Sequence, residues 1–219
     1  MKKAILFGAS GFVGSQLLEE LLGHPQYEQV SIVVRKDTKI RHPKLKTLIG
    51  DYHSLSQLKD QIIADEIFIA LGTTKKNTPD KTQYYQIDHD YPVLAATIAK
   101  ANGSTSVFLV TAVGADANSA VTYTKTKGEL ERDIIALNFD HTHIFRPSMI
   151  MGTRKEKRFL EKSLIKIWAF ANSVLIGKSL NKFKGIDGKD IAKAMICSAT
   201  HQSEKVKIYH WKEMTDLLH

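Results

Sequence analysis

Lys3-Ala4-Ile5-Leu6-Phe7-Gly8-Ala9-Ser10-Gly11-Phe12-Val13-Gly14 joins a short apolar run to three evenly spaced glycines and then to a segment, Phe12 to Leu22, whose apolar residues recur at helical spacing. Lys3 to Phe7 and Gln29 to Val34 read as buried strands and the segment between them as a helix, so the chain begins with a β-α-β unit. In that context each glycine has a task. Gly8 permits the tight exit from the strand, Gly11 lets a pyrophosphate approach the backbone without meeting a Cβ, and Gly14 lets the helix lie close on the sheet. The helix N-terminus then offers N–H groups to phosphates. A purely structural turn would use the same glycines; the strand-turn-helix placement is what favours a dinucleotide. The stretch therefore nominates Gly8, Ser10, Gly11, Phe12, Val13 and Gly14 as cofactor-binding.

Beyond this unit the alternation continues. Leu45 to Ile49, Glu66 to Leu71, Ser106 to Thr111 and Thr142 to Phe145 read as strands, interleaved with helical stretches at Leu55 to Ile63, Asp80 to Ala101 and Val121 to Leu137. Such alternation predicts an α/β fold, a Rossmann-type doubly wound parallel sheet with helices on both faces. After Pro147 the texture changes. Lys155 to Ala171 is basic and amphipathic, with Leu160, Leu164, Ile167 and Trp168 on one stripe. A glycine-containing loop, a helix over Ile191 to Thr200, a strand over Val206 to Tyr209 and a short closing helix follow. The expected organisation is a dinucleotide-binding core over 1–147 and a small substrate-side lobe of the same domain over 148–219, lying on the sheet's carboxyl edge. For the amphipathic stripe, packing over the sheet is favoured above docking a partner or lying on an anionic membrane.

The 219 residues are 43% hydrophobic and 25% charged, values that support a packed core and exclude a disordered or collagen-like chain. No apolar run approaches the roughly 18 to 20 residues that a bilayer crossing needs, so stable membrane insertion is not expected. The start imitates a secretory signal, but the glycines end its apolar run and Glu19 and Glu20 follow. One cysteine, Cys197, cannot form an internal disulfide, and a cytoplasmic location is expected. Lys and Arg exceed Asp and Glu by 31 to 23. The basic clusters around Arg35 to Lys46 and Arg154 to Lys166 read as solvated faces rather than a nucleic-acid surface. No nucleic-acid partner is expected, while the basic lobe leaves room for a protein partner. His141 and His143 share a strand face without a third ligand at metal spacing, so no metal site is expected. Cys197 reads as a small buried hydrophobe.

Arg35 and Lys36 stand where such folds read the cofactor's ribose, at the end of the second strand. A guanidinium there clasps an added 2′-phosphate, whereas a carboxylate would bind the ribose hydroxyls and repel it, so NADP is favoured over NAD. Asp37 is the competing residue, because a slip of about two positions in the strand boundary would bring it to the ribose. Tyr123 and Lys127 form Y-x-x-x-K within a helical stretch and so share one face. A tyrosine of ordinary pKa, about 10, exchanges its proton poorly near neutrality, and a neighbouring ammonium would stabilise its phenolate. Thr111 ends the fifth strand, where its hydroxyl could point into the crevice and hold a carbonyl oxygen; β-propensity alone would also put a threonine there.

Taken together, the glycine loop, Gly50-Asp51-Tyr52, Ala70-Leu71-Gly72-Thr73-Thr74, the Tyr123/Lys127 pair and Arg146-Pro147 resemble an atypical short-chain dehydrogenase/reductase. Leu71-Gly72-Thr73-Thr74, Val113-Gly114-Ala115-Asp116, Lys127-Gly128-Glu129 and Phe145-Arg146-Pro147 more narrowly resemble the Tat-interacting-protein type of NADPH-binding oxidoreductase. The resemblance implies that Asp51 faces the adenine, that Leu71, Gly72 and Thr73 line the adenosine and ribose, that Lys127 holds the nicotinamide ribose and that Pro147 sits near the nicotinamide. Two departures stand out. The family usually has serine where this chain has Thr111 followed by Ala112, and the helix asparagine of the family's tetrad would fall near Asp88.

The expected function is NADP-dependent reduction of a small-molecule carbonyl substrate, with Tyr123, Lys127 and Thr111 as the catalytic residues. Two alternatives stay open at this point: a regulatory or interaction module that binds NAD(P)H with little turnover, and an enzyme resembling nucleotide-sugar epimerases, ranked lower because the carboxyl-terminal lobe is short.

Overall fold

The computed structural model describes residues 1–152 and 183–219. Its main sheet is seven-stranded and parallel throughout. The strands are β1 (Lys2–Phe7), β2 (Tyr27–Val34), β3 (Leu45–Ile49), β4 (Glu66–Ile69), β5 (Ser106–Val110), β6 (His141–Phe145) and β9 (Val206–Tyr209), in the spatial order β3-β2-β1-β4-β5-β6-β9. A separate short pair joins β7 (Ile150–Met151) to β8 (Ile186–Asp187). From β1 the chain winds outward to β3 and then returns to β4 and runs the other way. This makes a topological switch between β1 and β4, the place where such sheets open a crevice at their carboxyl ends.

The inner strands are buried on both faces because helices cover both. On one face α1 (Phe12–Gly23), α5 (Gly188–Thr200) and α6 (Trp211–Asp216) bury Leu17, Leu21, Ile191, Met195 and Met214 against the sheet. On the other, a 3₁₀ turn (Leu55–Gln61), α3 (Tyr91–Ala101) and α4 (Thr122–Ala136) bury Leu55, Ala95, Ala99, Leu130 and Ile134.

Two expectations change here. The lobe over 148–219 does not describe residues 186 onward, which complete the core: β9 pairs with β6, and α5 lies along α1. The cause is the apolar stripe Ile191, Met195 and Ala199, which α1 meets with Leu17 and Leu21. The basic stretch Lys155 to Ala171, with Trp168, lies outside the described residues. Nor is the stretch from Asp80 to Ala101 one uniform helix. It divides into α2 (Lys81–Tyr85), a π turn (Gln86–Asp90) and α3, with Pro92 at the start of α3. Proline lacks the N–H for an i→i−4 bond and crowds the preceding turn, and a locally widened turn accommodates it. Its result is that Asp88 and His89 turn inward and are buried.

Candidate cofactor and active site

Gly8 leaves β1 at φ +93°, and a Cβ there would meet the carbonyl oxygen of Ala70 at 2.5 Å. A Cβ on Gly14 would lie 2.0 Å from the Gly8 oxygen. These two contacts seat the loop between β1 and β4 and press α1 onto it. Gly11 is exposed, caps α1 without a side-chain acceptor and closes the loop through its N–H to the Gly8 carbonyl at 2.9 Å. Bare backbone around a helix N-terminus is what a pyrophosphate requires, so the residues present fit a dinucleotide. Ser10 is exposed on the same loop, whereas Val13 is buried in the core. The ring of Phe12 packs where side chains on Gly152 or Gly188 would collide with it. Phe12 and Val13 therefore face the loop by their backbone.

Beyond the carboxyl ends of β2 and β3, Arg35, Asp51 and Tyr91 gather. Burial pushes the Tyr91 phenol up to about 12, with the charge of Asp51 adding to the rise and that of Arg35 opposing it. Tyr52 meets Tyr91 edge-on, with ring centroids 6.0 Å apart. Arg35 and Lys36 are exposed and make no ion pair among the described residues. Asp37 is taken by Arg41, Nη2 to Oδ2 at 2.8 Å. Asp51 Oδ1 accepts from the backbone of His53 and Ser54, which leaves Oδ2 for other partners.

At the end of β4, Leu71, Gly72 and Thr73 meet α4. Thr73 N–H donates to Asp88 Oδ2 at 2.8 Å, and Asp88 Oδ1 lies 2.6 Å from Lys127 Nζ. A Cβ on Gly72 would stand 3.5 Å from Asp88 Oδ1 and 3.7 Å from Lys127 Nζ. Tyr123, half-buried one turn earlier on α4, has its phenol pushed up to about 12 by burial and then by the charge of Asp88. Buried Tyr84 on α2 feels both Asp88 and Tyr123, and its pKa is raised, mostly by burial. Pro147 is buried beyond β6, its carbonyl accepting from Val113 N–H at 2.9 Å.

Thr111 does not join this cluster. Its hydroxyl donates to Glu131 Oε1 at 2.6 Å, and Glu131 is clamped by Arg146, whose Nε donates to the same oxygen at 2.9 Å. Glu131 is eight residues past Tyr123, about 12 Å along a helix axis at 1.5 Å per residue, so the expectation that Thr111 points into the crevice is corrected. Its hydroxyl ties β5 to α4. His141 and His143 form no metal site among the described residues: His141 Nδ1 meets the Glu204 carbonyl, and His143 is stacked in the core. Cys197 is half-buried rather than buried. Sequence reading missed Tyr84, Tyr91 and the link from Asp88 to Thr73. Pro92 inside a helical stretch was the available signal that Asp88 turns inward; for Tyr91 there was none.

A doubly wound parallel sheet with a glycine cradle at its switch point and a Tyr-Lys pair beside it defines a dinucleotide-binding protein of the atypical short-chain dehydrogenase/reductase type. The chain belongs to the NAD(P)H-binding family, whose model matches residues 8–164. It is 36% identical over 197 residues to "Protein FMP52, mitochondrial" of Candida albicans, covering 87% of this chain and 85% of that protein. It is 35% identical over 202 residues to "Protein fmp52-1, mitochondrial" of Aspergillus terreus, covering 90% and 86%. Among solved structures it resembles a UDP-N-acetylglucosamine 4-epimerase from Methanobrevibacter ruminantium M1 in complex with UDP-N-acetylmuramic acid. That likeness has a TM-score of 0.70 at 19% identity, over 95% of this chain and 76% of the other. The Bordetella bronchiseptica enzyme WbmH in complex with NAD+ matches with a TM-score of 0.66 at 18% identity, over 96% and 75%. At those identities the structures share the fold alone. The relatives' names correct one expectation: proteins this similar are called mitochondrial, which overturns the cytoplasmic assignment drawn from a single cysteine and an interrupted apolar start.

Proposed function

We propose that the chain is an NADP-dependent reductase of a small-molecule carbonyl compound. The observation that carries this reading is that Tyr123 and buried Lys127 stand one turn apart on α4, with the Lys127 ammonium beside the Gly72-Thr73 turn that flanks the glycine cradle. The cofactor, when bound, supplies hydride. Gly8 to Gly14 hold its pyrophosphate through backbone N–H groups, Arg35 and Lys36 bind the 2′-phosphate, and Asp51 with Tyr91 borders the adenosine. Leu71 to Thr73 would line the adenosine and ribose, Lys127 would hold the nicotinamide ribose, and Pro147 would border the nicotinamide. Tyr123 donates its phenolic proton to the substrate oxygen as negative charge grows there.

The test is NADPH oxidation across a panel of aldehydes and quinones. Tyr123→Phe should lower kcat by about 10²- to 10⁴-fold, the usual worth of a positioned acid, with NADPH affinity retained. Absence of turnover by the wild type on every substrate, with NADPH bound, would overturn the reading in favour of a cofactor-binding module.

A further inference from the structure

β3 ends the main sheet, so one side of it has no partner strand. Its ladder with β2 opens with Val30 N–H donating to the Lys44 carbonyl at 2.8 Å and closes with Gly50 N–H donating to the Val34 carbonyl at 2.9 Å. Between those two bonds the backbone alternates: Lys46 and Leu48 turn their N–H and C=O groups toward β2, and Thr47 and Ile49 turn theirs outward. The side chains alternate as well. Leu45 packs on the α1 side of the sheet and Leu48 on the other, so Thr47 and Ile49 share the face of Leu45, and Lys46 that of Leu48.

The crossover from β2 back to β3 is closed by a turn in which Asp37 accepts from Lys39 N–H at 3.0 Å and from the two Arg41 Nη atoms at 3.2 and 2.8 Å. Ile40, Arg41 and His42 of this crossover, with Leu45, Thr47 and Ile49 of the strand, line an open groove of about 360 Å³. Ile40 and Ile49 remain 42% and 53% exposed there, apolar surface beside unpaired backbone. The stretch is also strongly basic. Arg35, Lys36, Lys39, Arg41, Lys44 and Lys46 stand against one acid, Asp37, which is already bound to Arg41. Lys39 and Lys46 are exposed and make no ion pair among the described residues.

A solvated face would account for the cations but not for the apolar groove and the outward N–H and C=O groups beside them. An extended chain uses all three, because its backbone continues the ladder while its side chains alternate between the two faces. A second copy of this chain would set like charges against like, whereas carboxylates complement them. We propose that the free edge of β3 and the adjoining crossover groove dock an extended acidic peptide segment, which adds to the sheet as a further strand. Its apolar residues lie on the groove face and its carboxylates on the Lys46 face. The site is separate from the cofactor cradle, and the inference does not rest on the reductase reading.

The test follows fluorescence anisotropy of a labelled heptapeptide of alternating glutamate and valine, titrated with the full chain at low salt. Two controls accompany it: a peptide of the same composition with its glutamates in one block, and an alternating lysine-valine peptide. The alternating acidic peptide should bind at least about tenfold more tightly than either control, and saturating NADPH should leave it bound. Thr47→Pro deletes an outward N–H while sparing the ladder to β2, and should weaken the peptide about tenfold with NADPH binding retained. Lys46→Glu changes an exposed side chain, should weaken it by a similar factor, and carries the test if Thr47→Pro does not fold. Equal affinity for the block peptide would reduce the effect to bulk charge and overturn the proposal. So would displacement by NADPH, which would put the peptide's carboxylates in the cofactor's phosphate site, or affinity that neither variant changes. Absence of peptide binding overturns it too, including where vesicles containing phosphatidylglycerol bind the chain instead.

Discussion

Arg35 and Asp37 stand two positions apart and have opposite fates. Arg41, together with the Lys39 N–H, holds the Asp37 carboxyl below the usual carboxylate range, while Arg35 keeps its guanidinium exposed and without an ion pair among the described residues. The residue that would repel a 2′-phosphate is thus occupied, and the one that would bind it is not. NADPH should raise the melting temperature more than NADH at equal concentration, because at equal concentration the ligand that binds the native state more tightly stabilises it more. Arg35→Ala should erase the difference; a variant that still prefers NADPH would assign the phosphate to another residue. Legibility at this scale followed locality. Tyr123 and Lys127 could be paired from sequence because i,i+4 spacing on a helix is a local rule. The partner of Thr111 could not, since Glu131 is twenty positions away and reaches it only after α4 has docked on β5 and β6.

Elements are where the sequence spoke most plainly and where one sharp misreading arose. The alternation of apolar runs and helical stripes located β1 to β6, α1 and α4 to within a residue or two, because the inner strands, buried on both faces, are continuous apolar runs. Periodicity could not reveal the π turn, whose cause is a proline that a pattern of apolar residues ignores. Nor did periodicity single out Gly128, which sits in mid-helix where glycine costs about 1 kcal/mol relative to alanine. Its reason is contact: a Cβ there would lie 2.1 Å from Ala117 N and 2.2 Å from Asp116 C, so the loop after β5 rests directly on α4. Gly128→Ala should therefore lower stability by about 1 to 3 kcal/mol, the usual range for overpacking, despite the better helix propensity. Thermal melts check the sign. Because Lys127 is its neighbour, the same variant should also weaken stabilisation by NADPH; a variant more stable than the wild type would mean that the loop does not bear on the helix.

Across the whole molecule the sheet carries an aromatic ladder at right angles to its strands. Phe68, Phe108, His143 and Tyr209 follow one another across β4, β5, β6 and β9, with centroid separations of 4.6, 4.9 and 5.7 Å. The ladder explains why β9 completes the sheet rather than leaving it for a separate lobe: Tyr209 stacks on Phe145 at 4.6 Å, and its hydroxyl shares a 2.8 Å hydrogen bond with His143 Nδ1. It also puts an imidazole where protonation is resisted. Burial lowers the His143 pKa from 6.5 to about 4, helped by the charges of His141 and Lys207 and opposed by that of Glu204. Above the unfolded value both states are neutral there and the residue adds no pH dependence. Between 6.5 and about 4 the unfolded chain binds a proton that the folded chain refuses, so stability falls as pH falls, and the loss levels off below about 4. Between about pH 7.5 and about pH 5 this linkage is worth about 2 kcal/mol. Denaturant titrations at the two pH values should show that slope in the wild type. His143→Phe keeps a ring in the ladder but removes the titrating group, so its stability should change by about 2 kcal/mol less over the same interval, whatever its absolute value. An unaltered slope would mean that His143 takes its proton within the fold and that acid sensitivity arises from other groups.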